Sequence, residues 1–366
     1  MNIILFTSAD NLSGGSRQAL YQAQGLADRG HRVTFLVPRH SELPSLAPER
    51  SFWMRFDGPI PARQQIEALF THSDGNVVHA FHNAAVKALA WWALFWKKKA
   101  AAVAHRGVIF RPGNPLPYLS PGIDRFLVNS KACGRIIASL GVRKRRIEYL
   151  PNAVPDSRLV PLVNAADLRA ALRLENSPLT FLCIGGNKAY KGTEVLLRAW
   201  ANAFATQAED QSPRLVLVGQ TPDVWTSLAH SLGIFHQLRF AGKREDVGSF
   251  LAIAHAFVLP SLSESMPNTL LEALRAGLPS IGTTVGAVPD ILAPQDPPSA
   301  PQAGLLVPPG DATALAAALR NLANDGILRA RLAQAAQEQG MLFSPNRRLD
   351  RLEGIYSDIL RSKGLV

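Results

Sequence analysis

Short apolar and β-branched runs bounded by Gly, Pro, Asn or Ser alternate along this chain with segments whose apolar positions recur every three to four residues. That is the pattern of βα units around a parallel sheet. Asn2–Thr7 is predicted as the first strand, and Ala19, Leu20, Ala23, Leu26 and Ala27 form the stripe of a following helix closed by Gly30. Arg32–Val37, Asn76–Phe81, Ala100–His105 and Arg125–Asn129 read as further strands, with an apolar helix around Trp91–Trp96. Beyond Ser177 the rhythm restarts. Strands are predicted at Leu179–Ile184, Arg214–Val218 and Ala256–Leu259, with helices at Thr193–Phe204 and Val224–Leu232 and one ending at Gly277. Arg347–Leu360 reads as a last amphipathic helix.

At 366 residues the chain is about twice the usual domain size, so two doubly wound α/β domains are expected. The division predicted is a first domain over 1–160, a linker over 161–177 flanked by prolines, a second domain over 178–345 and a terminal helix over 346–366. A proline-rich loop, PQDPPSAPQ, interrupts the second domain. Apolar residues at 47% and charged residues at 18% describe an ordinary foldable chain and exclude a disordered one. Cys133 and Cys183 have no partners at metal-binding spacing, so neither a disulfide framework nor a metal site is expected. The four-residue apolar run Ile3–Phe6 has no basic segment before it, and the longest uncharged apolar stretch, Ala88–Trp96, is nine residues. No signal peptide and no membrane span are expected, which suggests a cytoplasmic protein.

Charge changes this picture in one respect. Residues 1–150 hold 20 Lys and Arg against 9 Asp and Glu, which accounts for the whole formal charge of +11. A basic surface of that kind suits an anionic membrane, nucleic acid or a phosphorylated acceptor. Aromatic platforms for nucleic acid are not evident. Trp91, Trp92, Phe95 and Trp96 precede Lys97, Lys98 and Lys99, which raises a membrane-surface reading. The reading favoured for that helix is burial against the sheet, since it is apolar all round.

Ligands of open parallel sheets bind beyond the carboxyl ends of strands, where loops meet helix N-termini. Three loops have that placement. NLSGGSR, Asn11–Arg17, lets a backbone approach an anion closely through Gly14 and Gly15, although a turn serving only chain geometry accounts for it equally well. GGNKAYKGT, Gly185–Thr193, puts Lys188 and Lys191 before a helix, but Lys191 precedes Gly192, which is the wrong order for an ATPase phosphate loop. A bound diphosphate or two solvated lysines both fit it. In PSLSESMPNTLLEALRAG, Pro260–Gly277, Glu264 falls in a loop and Glu272 on the helix that Pro267 opens, with seven residues between them. Glu272 sits among Leu270, Leu271, Ala273 and Leu274, and a buried carboxylate requires donors, which sugar hydroxyls would supply; by themselves, a surface helix glutamate and a loop glutamate account for the pair better.

The stretch from Arg239 to Gly310 closely resembles the carboxyl-terminal domain of glycosyltransferase family 4, a group of retaining GT-B enzymes that use nucleotide-sugar donors. GGSRQAL, His105, VNSKACGRIIASLGV, LPNAV and the Lys191–Gly192 pair extend the resemblance over most of the chain. It implies a GT-B fold, two Rossmann-like doubly wound domains facing a central cleft. It implies that Glu264 lies near the donor sugar, that Glu272 binds the ribose hydroxyls and that Lys191 meets the diphosphate. By the same resemblance the backbone of Met266, Asn268 and Thr269 lines sugar and phosphate, Gly14 and Gly15 face the diphosphate, His105 stands beside the reacting sugar, and Gly242 and Lys243 lie where the base is held. Gly186 stands where the family usually has an arginine, so Lys188 is left as a point charge. His79 and His82 match nothing and are assigned to structure.

The activity so implied is retaining, metal-independent hexosyl transfer from a nucleoside-diphosphate sugar, a UDP-sugar being the donor most expected. The acceptor would be an envelope polysaccharide or glycolipid at the inner membrane face, with no resident cofactor and no nucleic-acid partner. The alternative is a non-catalytic GT-B protein that binds a sugar nucleotide.

Overall fold

The computed structural model describes residues 1–72, 75–175, 177–208, 211–294 and 301–365; residue 176 of the expected linker and residues 295–300 of the proline-rich loop lie outside the described residues. Two compact units result, Met1–Ala153 together with Pro345–Val366, and Val154–Ser344.

The first unit is built on a parallel sheet of seven strands, β1 (Asn2–Thr7), β2 (Arg32–Pro38), β3 (Trp53–Phe56), β4 (Asn76–Phe81), β5 (Ala101–Arg106), β6 (Arg125–Val128) and β7 (Ile147–Tyr149). Their order is β3-β2-β1-β4-β5-β6-β7, so the winding reverses between β1 and β4. Helices α1 (Gly14–Asp28), α2 (Pro59–Ala68), α3 (Asn83–Trp92), α4 (Leu116–Leu119) and α5 (Lys131–Ser139) connect them. Strand β1 shows why both faces must be covered. Ile3 and Leu5 join one core cluster, and Ile4 and Phe6 join the other, as the two-residue side-chain period of a buried strand requires.

The C-terminal helix, Pro345–Lys363, belongs to this unit and is not the separate terminal element of the sequence division. Leu349, Leu352, Tyr356, Ile359 and Leu360 are buried in the same cluster as Leu20 and Leu26 of α1. The two helices approach closely at Gly25, where a Cβ would lie 2.5 Å from Leu349 Cδ1. The first division also falls at Ala153 rather than at residue 160, because Val154 and Leu159 pack into the second unit's core.

A polar network fixes that helix from inside. The Tyr356 hydroxyl donates to His79 Nδ1 at 2.7 Å, and Gln22 Nε2 donates to the Tyr356 oxygen at 3.1 Å. Arg348 is buried and donates to the carbonyls of Leu150 and Pro151 and to Gln22 Oε1. With carbonyl partners only, burial pulls its guanidinium down to about 10.

Helix α3 is not buried all round. Trp96 is buried and Trp92 half-buried, whereas Trp91 and Phe95 are exposed. The reason is pairing at its C-terminal end. Trp96 Nε1 donates to Glu67 Oε1 of α2 at 2.8 Å, which orients Trp96 inward and leaves the opposite edge of the turn to solvent.

The second unit has six parallel strands, β8 (Thr180–Ile184), β9 (Arg214–Val218), β10 (Leu238–Gly242), β11 (Ala256–Leu259), β12 (Ser280–Thr283) and β13 (Gly304–Val307), in the order β10-β9-β8-β11-β12-β13. Its winding reverses between β8 and β11. Helices α6 (Ala165–Ala171), α7 (Thr193–Phe204), α8 (Pro222–Ser231), α9 (Val247–Ile253), α10 (Asn268–Arg275), α11 (Val288–Leu292), α12 (Ala312–Asn324) and α13 (Gly326–Gly340) cover the two faces. Leu182 and Ile184 face one cluster, and Phe181 and Cys183 face the other. Among the described residues no helix is long and apolar enough to cross a membrane.

His79 is fully buried, and burial holds it well below its ordinary value near 6.5, with His105 and Arg348 adding to the effect. The unfolded chain therefore binds the proton that the folded chain refuses. His79's contribution to stability is full above about pH 6.5 and declines by about 1.4 kcal/mol for each pH unit below it. Denaturant unfolding at pH 7.5 and 5.5 checks this, and a midpoint unchanged over that interval contradicts a neutral His79.

Candidate active site

The loops that flank the two winding reversals carry most of the sequence-predicted residues, whereas His105 lies in β5 and Gly242 and Lys243 stand at the end of the edge strand β10. In the second unit these loops follow β8 and β11. Gly192, in the left-handed region at φ 71°, lies so close to the Pro260 carbonyl oxygen that a Cβ would be 2.0 Å from it. Leu262 N–H donates to the Tyr190 carbonyl at 2.8 Å, a second backbone link between the same loops. A third segment closes on them, since Gly286 leaves only 1.9 Å between a would-be Cβ and the Glu264 carbonyl oxygen.

These contacts bring Lys191 to Glu264. Lys191 Nζ donates to Glu264 Oε1 at 2.7 Å, and Ser261 Oγ donates to the same oxygen at 3.0 Å. The Glu264 side chain is 11% exposed and that of Lys191 28%, so the pair sits at the mouth of the strand ends rather than in bulk water. An ammonium has three donors, which leaves Lys191 able to hold Glu264 and still meet an anion.

Glu272 is buried on α10, as expected from its apolar neighbours. Its donor is a residue that the sequence reading missed. Arg158, in a tight turn at Asp156–Arg158, donates from Nε to Glu272 Oε1 at 3.1 Å and from Nη1 to the Glu245 carbonyl at 2.8 Å. Hydroxyls of a sugar are therefore not the sole donors available to Glu272. Arg158 also ties that carboxylate to the loop holding Gly242 and Lys243. Gly242 adopts φ 64° and Lys243 is exposed, while Arg244 is spent on Asp246 through two contacts of 2.8 Å. That clamp keeps Asp246 below the usual carboxylate range.

Pro267 caps α10 in an extended conformation, so Asn268 and Thr269 open the helix and Met266 stands just before it. Lys188 is exposed, 6.0 Å from the Tyr190 ring centroid, and Lys191 stands 5.4 Å from the same ring. A Cβ at Gly186 would meet nothing within 4 Å, so the missing arginine leaves open space rather than a filled one.

In the first unit, Gly14 and Gly15 are the opening residues of α1, one turn earlier than the sequence pattern suggests. Ser13 caps the helix by accepting from Ser16 N–H at 3.2 Å. A Cβ at Gly15 would lie 3.2 Å from His82 Nε2, and His82 Nδ1 shares a hydrogen bond with Thr7 Oγ1 at 2.8 Å. His82 has φ 68°, a strained conformation for a non-glycine residue, and strain of this kind collects at functional sites. Nothing in the sequence around it marks that conformation.

His105 is the fifth residue of β5, half-buried and stacked on Phe81 with ring centroids 5.2 Å apart. Its Nδ1 is buried without a hydrogen-bond partner among the described residues. Burial, then the charges of Arg348 and His82, hold it well below the ordinary histidine value, so it stands as a neutral imidazole. Among the described residues no three metal-ligating side chains cluster.

Comparison with known proteins gives this geometry a family. The family described as "Glycosyltransferase Family 4" matches residues 12–158, and the one described as "Glycosyl transferases group 1" matches residues 178–325. The chain belongs to the family 4 glycosyltransferases. It is 33% identical over 162 residues to the N-acetyl-alpha-D-glucosaminyl L-malate synthase of Bacillus anthracis, covering 43% of this chain and 41% of that protein. It is 29% identical over 215 residues to the lipopolysaccharide core biosynthesis glycosyltransferase LpsE of Rhizobium meliloti, covering 59% of this chain and 58% of that one. The matched region thus spans roughly half the length of these curated relatives. Among solved structures, Anabaena Alr3699/HepE in complex with UDP superposes with a TM-score of 0.82 at 16% identity, covering 98% of this chain and 100% of that one. The fold is GT-B, two Rossmann-like units each with its own parallel sheet.

Three substitutions test the assembly. Lys191→Ala is expected to weaken UDP binding roughly ten- to a hundredfold in calorimetry, the scale of a lost charge-assisted hydrogen bond, and to weaken inorganic pyrophosphate as well. Arg158→Ala is expected to weaken UDP and uridine alike and to leave pyrophosphate unchanged, because it orients only the carboxylate at the far end. Gly186→Arg, which enters open space, is expected to tighten UDP severalfold, and unchanged affinity would show that no anion rests there.

Proposed function

We propose that this chain transfers a sugar from a nucleoside-diphosphate sugar to an acceptor hydroxyl with retention of configuration. The observation that carries the reading is the 2.7 Å pair of Lys191 and Glu264, held at the winding reversal of the second sheet beside the start of α10. The chemistry demands stabilisation of a departing diphosphate while an oxocarbenium-like carbon meets the acceptor. Lys191, Lys188 and the N–H groups of Met266, Asn268 and Thr269 take up that charge, so a divalent ion is not required. Glu264 orients the donor sugar and Glu272, braced by Arg158, the ribose. The base lies against Gly242 and Lys243, with Gly186 beneath the phosphates. For His105, beside the reacting sugar, and for Gly14 and Gly15, facing the diphosphate, the family resemblance supplies the role. Neutral His105 suits a hydrogen bond to an uncharged hydroxyl.

UDP bound in a solved protein of the same fold supports a uridine donor. Lipopolysaccharide synthesis by one relative supports an envelope polysaccharide or glycolipid acceptor, reached from the cytoplasm at the inner membrane face. The glycine at position 186 favours a second reading, a GT-B protein that holds a sugar nucleotide without turning it over. Incubation of the purified chain with a panel of UDP-, GDP- and ADP-sugars, with and without chelator, separates the two. Hydrolysis or transfer from one donor, insensitive to chelator, is expected. Binding without turnover on any membrane-extract acceptor supports the second reading, and no binding at all removes both.

A further inference from the structure

The second unit explains the donor chemistry, but nothing in it accounts for the exposed aromatic edge of the first. Trp91 at the end of α3 is 59% exposed, and Phe95 in the tight turn that follows is 67% exposed. They share their surface with α2 and α4. The Arg63 guanidinium of α2 lies 4.9 Å over the Phe95 ring, and Ser120, just past α4, donates from Oγ to the Ala90 carbonyl. Leu116 and Leu119 of α4 add exposed apolar surface, at 61% and 43%.

Immediately after Phe95 the chain turns through Lys97, Lys98 and Lys99, all exposed. None of the three ammonium groups has an ion pair among the described residues. Glu67 of α2, whose carboxylate also feels the charge of Lys99, is already engaged by Arg63 at 2.8 Å and by Trp96 Nε1. The face is therefore apolar at its centre and cationic along one side, with its acidic group neutralised.

We propose that this face docks on an anionic lipid bilayer, with Trp91 and Phe95 entering the headgroup boundary and Lys97, Lys98 and Lys99 meeting lipid phosphates. Charge decides between a membrane and a protein partner. Lysine is depleted from protein–protein interface cores, whereas aromatics beside a lysine run are the composition of segments lying at a lipid surface. Indole suits that position because one edge is apolar and its N–H finds a polar partner. The inference stands on the first unit alone and holds whether or not the second turns a donor over.

Flotation of the full chain with vesicles tests it directly. Binding is expected to vesicles of mixed phosphatidylglycerol and phosphatidylcholine at low salt, with none to phosphatidylcholine alone. It should be lost near 0.5 M salt, where screening shortens to about 4 Å. Each Lys→Ser exchange at 97, 98 or 99 is expected to cut the partition coefficient roughly fivefold. Trp91→Ser with Phe95→Ser is expected to abolish flotation, and Trp91→Phe to retain most of it, which a collapsed fold could not do. Equal binding to neutral and anionic vesicles, or full binding by the double aromatic variant, overturns the proposal. So does a native dimer in sedimentation that Trp91→Ser dissociates, because a second copy would then cover the face.

Discussion

The chemistry of the second unit hangs on a meeting of backbone atoms. With φ at 71° and its would-be Cβ 2.0 Å from the Pro260 carbonyl oxygen, position 192 admits glycine alone. Because the loop after β8 can press on the loop after β11 at that point, the residue just before it is delivered to Glu264. Gly286 applies the same device from the third side. Side chains widely separated in sequence become a hydrogen-bonded pair through glycines that themselves do no chemistry.

The cations of the molecule are used in contrasting ways. Lys191 has one carboxylate and two donors to spare, which suits an exchangeable anion. Arg158 spreads its planar fork over Glu272 and a carbonyl, which suits holding a loop still. Among the described residues Arg348 meets carbonyl oxygens through its two Nη atoms while its buried Nε has no partner, so its positive charge remains in the interior of the first unit and helps keep His79 and His105 neutral. A single residue type could not serve all three places.

Much of this was legible before the fold was seen. The limits of β1, β4, β9, β11 and α7 coincide with the sequence expectation, because each is an apolar run buried on both faces or a helix with a clear stripe. The strands that went unseen are short or mixed. WMRF in β3 and LRFAG in β10 lie at sheet edges, half-exposed, and SIGT in β12 carries a glycine against Val288. Arg158 was invisible for a different reason. It lies 114 residues from Glu272 in a proline-rich segment without periodicity, and only the folded chain brings the two together. The strain at His82 leaves no mark in the sequence around it. The aromatic helix departs from its sequence expectation because composition reports how apolar a helix is, and not which edge a hydrogen bond such as that of Trp96 turns inward.

The C-terminal helix carries one further consequence. Since Leu349, Tyr356 and Leu360 complete the hydrophobic interior of the amino-terminal half, the chain must be made through residue 360 before that half can be complete. During synthesis the sheet that is made first waits for its last helix until the whole second unit has emerged. The order in which the ribosome delivers the parts is thus not the order in which they can become stable, and a nick between residues 153 and 154 would leave the leading fragment with an open flank.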